Sequence, residues 1–170
     1  HFQADGCETA LTGTGADLRL NGTKRFVASA VGADGYLVTC VRGREFALVF
    51  VPSSGAGISV RADRQIDGSV CADITFQDVA LAADHILAEG EQARALVSAV
   101  IAEATLAVCV TLTALANTAL RISVDYMKQR VQFGKLIGSF QALQHRAVDL
   151  AVRCTLAGAA MRRALEEHAA

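Results

Sequence analysis

The chain is 170 residues long and 52% hydrophobic, with 16 basic against 17 acidic side chains and a formal net charge of -1. This balance excludes the basic excess that nucleic-acid binding needs, and the apolar content excludes a disordered segment. The length suits one domain or two, and alanine supplies much of the hydrophobicity, as closely packed helices require. The chain opens on His1 rather than Met, so its reading frame is expected to begin upstream or to be processed. Cysteines at 7, 40, 71, 109 and 154 form no metal-type pair. Their wide spacing and apolar neighbours predict small buried thiols in a reducing compartment, hence the cytoplasm.

Turn chemistry punctuates the first half. Gly13-Thr14-Gly15 reads as a turn between strands, since no nucleotide-binding helix follows it. Ala16 to Leu20 alternates apolar and polar residues, the pattern of a half-buried strand. Asn21-Gly22 follows at once; a type I′ turn needs positive φ at both central residues, so this pair predicts a hairpin with Thr23 to Val27 as its returning strand. Further β-rich runs at Tyr36 to Val41, Phe46 to Val51, Ile58 to Arg61 and Ala72 to Phe76 are separated by Arg42-Gly43-Arg44 and by the Pro52 to Gly57 cluster. Short, regularly spaced strands predict an antiparallel sandwich or barrel over residues 1–89.

Composition changes near Gly90. No Gly or Pro occurs from Glu91 to Arg130, so one helix of about forty residues can run unbroken. Between Ala104 and Leu120 it carries no charge and is apolar on every face, as expected for a helix buried on all sides. That stretch approaches the length of a membrane span. Its Ala and Thr content, Glu103 and Asn117, and the lack of aromatic belts at both ends favour a soluble helix bundle instead. Gly134 is placed to close the helix and Ser139 to cap a second one. The second helix carries a stripe of Phe140, Leu143, Ala147, Leu150, Cys154, Ala157, Met161 and Leu165, a packing seam spaced by three or four residues. The expected fold class is therefore α+β: a β domain over 1–89, then a long antiparallel helix pair over 90–170.

Chemistry concentrates in Arg130-Val131-Gln132-Phe133-Gly134-Lys135 and the following Ser139-Phe140-Gln141. An Arg offers a permanent planar donor for phosphate, a helix N-terminus adds N–H donors and a favourable dipole, and Phe133 could cover a planar ring. The same residues also fit a plain helix-hairpin corner with a solvated Arg. His85 and His145 lack ligand-spaced partners, His1 and His168 lie at the ends, and Asp73 and Asp78 are too scattered for a metal site. Tyr126 shares the face of Arg130 and reads as packing near the corner.

The run RVQFGKLIGSFQALQHRAVDLA resembles the flavin-contacting signature of the acyl-CoA dehydrogenase family, and LNGTKRFV and ITFQDVAL resemble two signatures of that family's middle β domain, in matching order. The chain is similar to the middle domain plus the first two long helices of the C-terminal helical domain. The resemblance implies FAD as cofactor: Arg130, Gln132 and Phe133 at its pyrophosphate and adenosine part, with Phe140 and Gln141 alongside, the FAD being held mainly by a neighbouring subunit of a tetramer. It implies Phe26, Val27 and Ala28 against the flavin ring, where Ala28 replaces the family's usual Thr and Ser29 stands next to it. It further implies an acyl-CoA substrate oxidised at its Cα–Cβ bond, and an electron-accepting protein partner.

The resemblance implies a Glu as the base that removes the α-proton, in most of the family well downstream of this segment. A minority of the family carries it twenty-six positions before the signature Arg, where this chain has Ala104, with Thr105 replacing the usual Arg. Glu103 is one position off, about 100° around the helix, and is expected to be a buried or interface polar residue. These departures leave two alternatives to a dehydrogenase: a non-catalytic partner subunit that completes a neighbour's FAD site, and a flavin monooxygenase or oxidase on the same fold.

Overall fold

The structure is a computed structural model that describes residues 6–169; His1 lies outside them. Nine strands and two long helices follow in chain order: β1 Ala10–Thr12, β2 Leu18–Ala28, β3 Gly35–Arg42, β4 Glu45–Pro52, β5 Ile58–Arg64, β6 Val70–Leu81, β7 Ile86–Glu89, α1 Gly90–Met127, β8 Val131–Gln132, β9 Lys135–Leu136 and α2 Gln141–Ala169. Contacts divide the chain into one unit ending at Ala99 and a second beginning at Val100.

The first unit is a seven-stranded sheet ordered β5-β6-β2-β1-β3-β4-β7. Its pairings are antiparallel except for a single parallel bridge, Ala10 to Val41 between β1 and β3. Period-two alternation puts Tyr36, Val38 and Cys40 of β3, Val49 and Val51 of β4, and Ala72, Ile74 and Phe76 of β6 into one buried cluster with Leu18 and Leu20. Tyr36 meets Phe76 edge-on at 6.5 Å. Their strands stand three places apart in the sheet, roughly 14 Å if it were flat, so the sheet curls until its two halves face each other, as the sandwich or barrel expectation requires.

Asn21-Gly22 is not a hairpin turn. β2 runs straight through it, and the expected pair of strands is one bent strand paired along its length with β6. The register shifts there: Leu20 pairs with Val79 and Gly22 with Phe76, so β6 carries an extra residue. Asn21 Oδ1 accepts the Asp78 N–H at 2.8 Å and Asp78 adopts φ 53°, closing a bulge. Gly22 is needed for space, because a Cβ on it would lie 2.7 Å from Thr9 Cα. Turn-forming residues thus serve a bulge that only the pairing with β6 creates. β1 and β7, too short to show periodicity, are further additions to the expected strands.

In the second unit α1 and α2 run antiparallel, with Ala102 to Thr113 facing Ala157 to His168 across an apolar cavity of about 660 Å³. α1 stops at Met127, three residues before the expected end at Arg130. Lys128, Gln129 and Arg130 close its last turn by donating to carbonyls of Val124 and Tyr126. Gly134 does not terminate the helix; it sits with Phe133 at the tip of the β8–β9 hairpin. Both have positive φ, 55° and 76°, the sign pattern of a type I′ turn. Ser139 does not cap α2 either, since its Oγ donates back to the Leu136 carbonyl at 2.7 Å. α1 is long and apolar enough to cross a membrane by length and composition. The expectation that it is buried on every side does not hold within this chain: Ala93 is its buried residue, and Val108, Leu112 and Leu115 are exposed.

The thiols divide in the same way. Cys40 is buried, Cys7, Cys71 and Cys154 are half-buried, and Cys109 is exposed on α1; all five are free. The expectation of five buried cysteines therefore holds for Cys40 alone. Burial, followed by the neighbouring Cys7, pushes the Cys40 thiol up to about 12.

Candidate functional site

The candidate residues fall into two groups, one in each unit. In the β unit, Phe26, Val27 and Ala28 form the end of β2, immediately past a second bulge: Lys24 pairs with Ile74 and Val27 with Ala72, so Arg25 and Phe26 together oppose the single residue Asp73. Phe26 has φ 55° and its ring is 80% exposed; Ser29, just beyond Ala28, has φ 57°. For non-glycine residues such backbone costs on the order of 1–3 kcal/mol each and clusters where a side chain must be aimed. Phe26 and Ser29 thus bracket a segment presenting a ring, a half-buried Val27 and an exposed Ala28.

Asp73 fixes this bend. Its Oδ1 accepts the Phe26 N–H at 3.2 Å, and its Oδ2 accepts from Arg61 at 2.9 Å. Arg61, its cross-strand partner in β5, also reaches Asp63 at 3.2 Å. The Arg61 guanidinium, then the Phe26 N–H, hold the Asp73 carboxyl below the usual carboxylate range. Asp73 and Arg61 carry no sequence signal, because the contacts that matter span 47 and 12 positions.

In the helical unit, the β8–β9 hairpin folds the corner between α1 and α2. The Ile137 N–H donates to the Arg130 carbonyl at 2.8 Å, and Gln144 Nε2 donates to the Gly138 carbonyl at 2.8 Å. Gly138 allows the close approach, since a Cβ there would lie 2.9 Å from the Met127 carbonyl oxygen. The hairpin tip holds the Phe133 ring in solvent, 86% exposed, with Phe140 edge-on at 6.3 Å. Lys135 Nζ lies 4.4 Å from the Phe140 ring centre and the Arg130 guanidinium reaches Gln132 Oε1 at 3.5 Å. Among the described residues, neither Arg130 nor Lys135 has a carboxylate within salt-bridge distance. Arg130, Gln132, Phe133 and Phe140 therefore lie together, with Gln141 exposed at the first position of α2. The corner can offer two unneutralised cations and an accessible ring to an anionic, partly aromatic ligand.

The remaining polar residues are placed more plainly. Glu103 is exposed rather than buried within this chain, its Oε1 3.7 Å from His168 Nε2; Ala104 is exposed, and Thr105 Oγ1 donates to the Ile101 carbonyl at 2.7 Å. Tyr126 receives the Gln129 and Arg130 N–H groups on its carbonyl. His85 packs edge-on to Phe50 at 6.1 Å. Among the described residues no group of His, Cys, Asp and Glu is arranged to hold a metal.

The family model for the acyl-CoA dehydrogenase middle domain matches residues 2–79, and that for the acyl-CoA dehydrogenase C-terminal domain matches residues 94–170. The chain belongs to the acyl-CoA dehydrogenase family. A probable acyl-CoA dehydrogenase of Bacillus subtilis, YngJ, is 28% identical over 91% of this chain and 43% of its own length. The solved acyl-CoA dehydrogenase from Geobacillus kaustophilus superposes with a TM-score of 0.88 at 23% identity, over 96% of this chain and 46% of that one. The ChsE4-ChsE5 complex from Mycobacterium tuberculosis superposes with a TM-score of 0.80 at 22% identity, over 97% and 46%. The chain thus spans less than half the length of these relatives. The match over residues 94–170 takes in most of α1, which makes that apolar helix part of the family's C-terminal domain.

Proposed function

We propose that the full protein is an FAD-dependent oxidoreductase that removes hydrogen across the Cα–Cβ bond of an acyl-CoA thioester. The observation that carries this reading is the corner at Arg130, Gln132, Phe133 and Lys135: two cations that, among the described residues, have no carboxylate within salt-bridge distance, beside an exposed ring, a donor set that suits a dinucleotide pyrophosphate. Arg130 and Gln132 bind the phosphates, Phe133 and Phe140 cover the adenosine side, and Gln141 lies alongside. In the β domain, Phe26, Val27 and Ala28 meet the flavin ring, whose exposed apolar surface they suit. FAD supplies the hydride acceptor for the β-carbon. Residues 1–89 are the middle β domain, and residues 90–170 are the first two helices of the C-terminal domain. The assembly is a cytoplasmic tetramer in which this corner serves a neighbour's cofactor, and a protein acceptor reoxidises it.

Arg130→Ala tests the assignment. In the purified full protein the visible flavin absorbance should fall and FAD affinity should drop by about tenfold or more, the loss of a charge-assisted contact to phosphate. Unchanged FAD retention in the assembled oligomer overturns the placement.

A second reading rests on Ala28, Ala104 and Thr105, which replace a flavin-facing hydroxyl and the region of a base. In it this chain is the non-catalytic subunit of a heteromer and completes the FAD site of a homologous partner. Purification alone and with a co-encoded homologue separates the two: flavin retained only in the mixture supports the second reading, and flavin bleached anaerobically by an acyl-CoA in the homo-oligomer supports the first.

A further inference from the structure

We infer that Asp73, braced by Arg61, is the positioning residue that aims the Phe26–Ala28 segment at the flavin. The inference rests on the proposed FAD site and adds to it a residue on a neighbouring strand, outside the segment that meets the ring. Register supplies the first ground. Asp73 is the one β6 residue opposite the two-residue bulge of Arg25 and Phe26, so it stands where the extra N–H loses its ladder acceptor. Its Oδ1 takes that N–H at 3.2 Å, replacing the missing carbonyl of the ladder.

Bracing is the second ground. A lone carboxylate on a strand surface rotates freely, but the other oxygen of Asp73 is held at 2.9 Å by Arg61, its cross-strand partner, and Arg61 is tethered in turn to Asp63. Arg61 and Phe26 thus grip one carboxylate from opposite sides. Conformation is the third ground. Phe26 is held at φ 55°, which a non-glycine residue adopts only when its surroundings impose it. The Asp73 hydrogen bond holds the N–H of this αL residue, and at the bend the ring projects into solvent where a regular strand would have continued its alternation. The depressed Asp73 carboxyl keeps this acceptor ionised through the neutral range.

The test uses the full protein stripped of FAD and then titrated with it. Asp73→Ala should accelerate hydrogen exchange at the Phe26 amide in the FAD-free protein, weaken FAD binding by roughly fivefold or more, and alter the visible circular dichroism of bound flavin. Asp73→Asn keeps one acceptor oxygen for the Phe26 N–H but turns an NH2 donor toward Arg61 and so loses the brace; it should show smaller losses in the same three readouts, and it carries the test if the alanine variant fails to fold. Asp67→Ala, which removes an aspartate that holds Ser69 in the β5–β6 connection, controls for general loosening and should leave all three readouts unchanged. Wild-type FAD uptake with unaltered exchange, affinity and dichroism in Asp73→Ala overturns the inference alone. Equal losses in Asp73→Ala and Asp67→Ala overturn it as well, by reducing Asp73 to a general structural role. No FAD uptake by the wild type overturns the reading of the site, and this inference with it.

Discussion

Leu20 in β2 and Leu112 in α1 are the same residue in regular elements of one chain, yet the first is 0% and the second 58% exposed. Leu20 sits in a sheet that curls over and closes its own core. Leu112 lines the open apolar cavity between α1 and its single antiparallel neighbour α2, and that one neighbour leaves most of it uncovered. The apolar faces of α1 therefore remain open although its composition is that of a core helix. The contrast teaches that hydrophobic content reports how much surface an element needs covered, whereas the element's neighbours decide whether it is covered.

The largest difference between the two units is expected from matched truncations. Leu20→Ala should cost the β unit about 2–5 kcal/mol in denaturant unfolding, the transfer term plus the cavity left behind. Leu112→Ala in this chain should cost under about 1 kcal/mol. Equal losses would show that α1 is covered in solution. Gly22→Ala should follow, at about 2 kcal/mol, because its new Cβ would press on Thr9 and its φ of 141° disfavours any L side chain.

The smallest effect at neutral pH belongs to Cys40. Its folded thiol titrates near 12 against 9.0 in the unfolded chain, so ionisation favours unfolding. Stability from this group is complete below pH 9 and is lost as pH rises from 9 toward 12, by about 1.4 kcal/mol per pH unit. Alkaline melts of Cys40→Ala should lack that slope. Cys109, exposed on α1, should react with thiol reagents in the native protein while Cys40 does not.

Much of this architecture is legible in the sequence. β-rich runs between turn residues located the middles of β3, β4, β5 and β6, and the stretch free of Gly and Pro located α1, because these signals are local. The corner residues Arg130 to Gln141 were equally legible, since they lie within a dozen positions of one another. Phe133-Gly134 shows the limit. Its turn chemistry is weaker in sequence than that of Asn21-Gly22, yet Phe133-Gly134 forms the tight hairpin and Asn21-Gly22 does not. A turn forms where two flanking strands have no better partner, and β2 found one in β6 along its whole length.

By itself, then, the sequence determined the succession of strands and helices, the change from strand to helix at Gly90, and the closeness of Arg130, Gln132 and Phe133 at one corner. Tertiary structure alone decided which turn-forming residues turn, which of five thiols is buried, and that Asp73 grips the backbone of Phe26 from another strand. Local patterns are set by bonds and dihedrals a few residues apart. Register, burial and bracing depend on partners tens of residues away, and those exist only once the chain has folded.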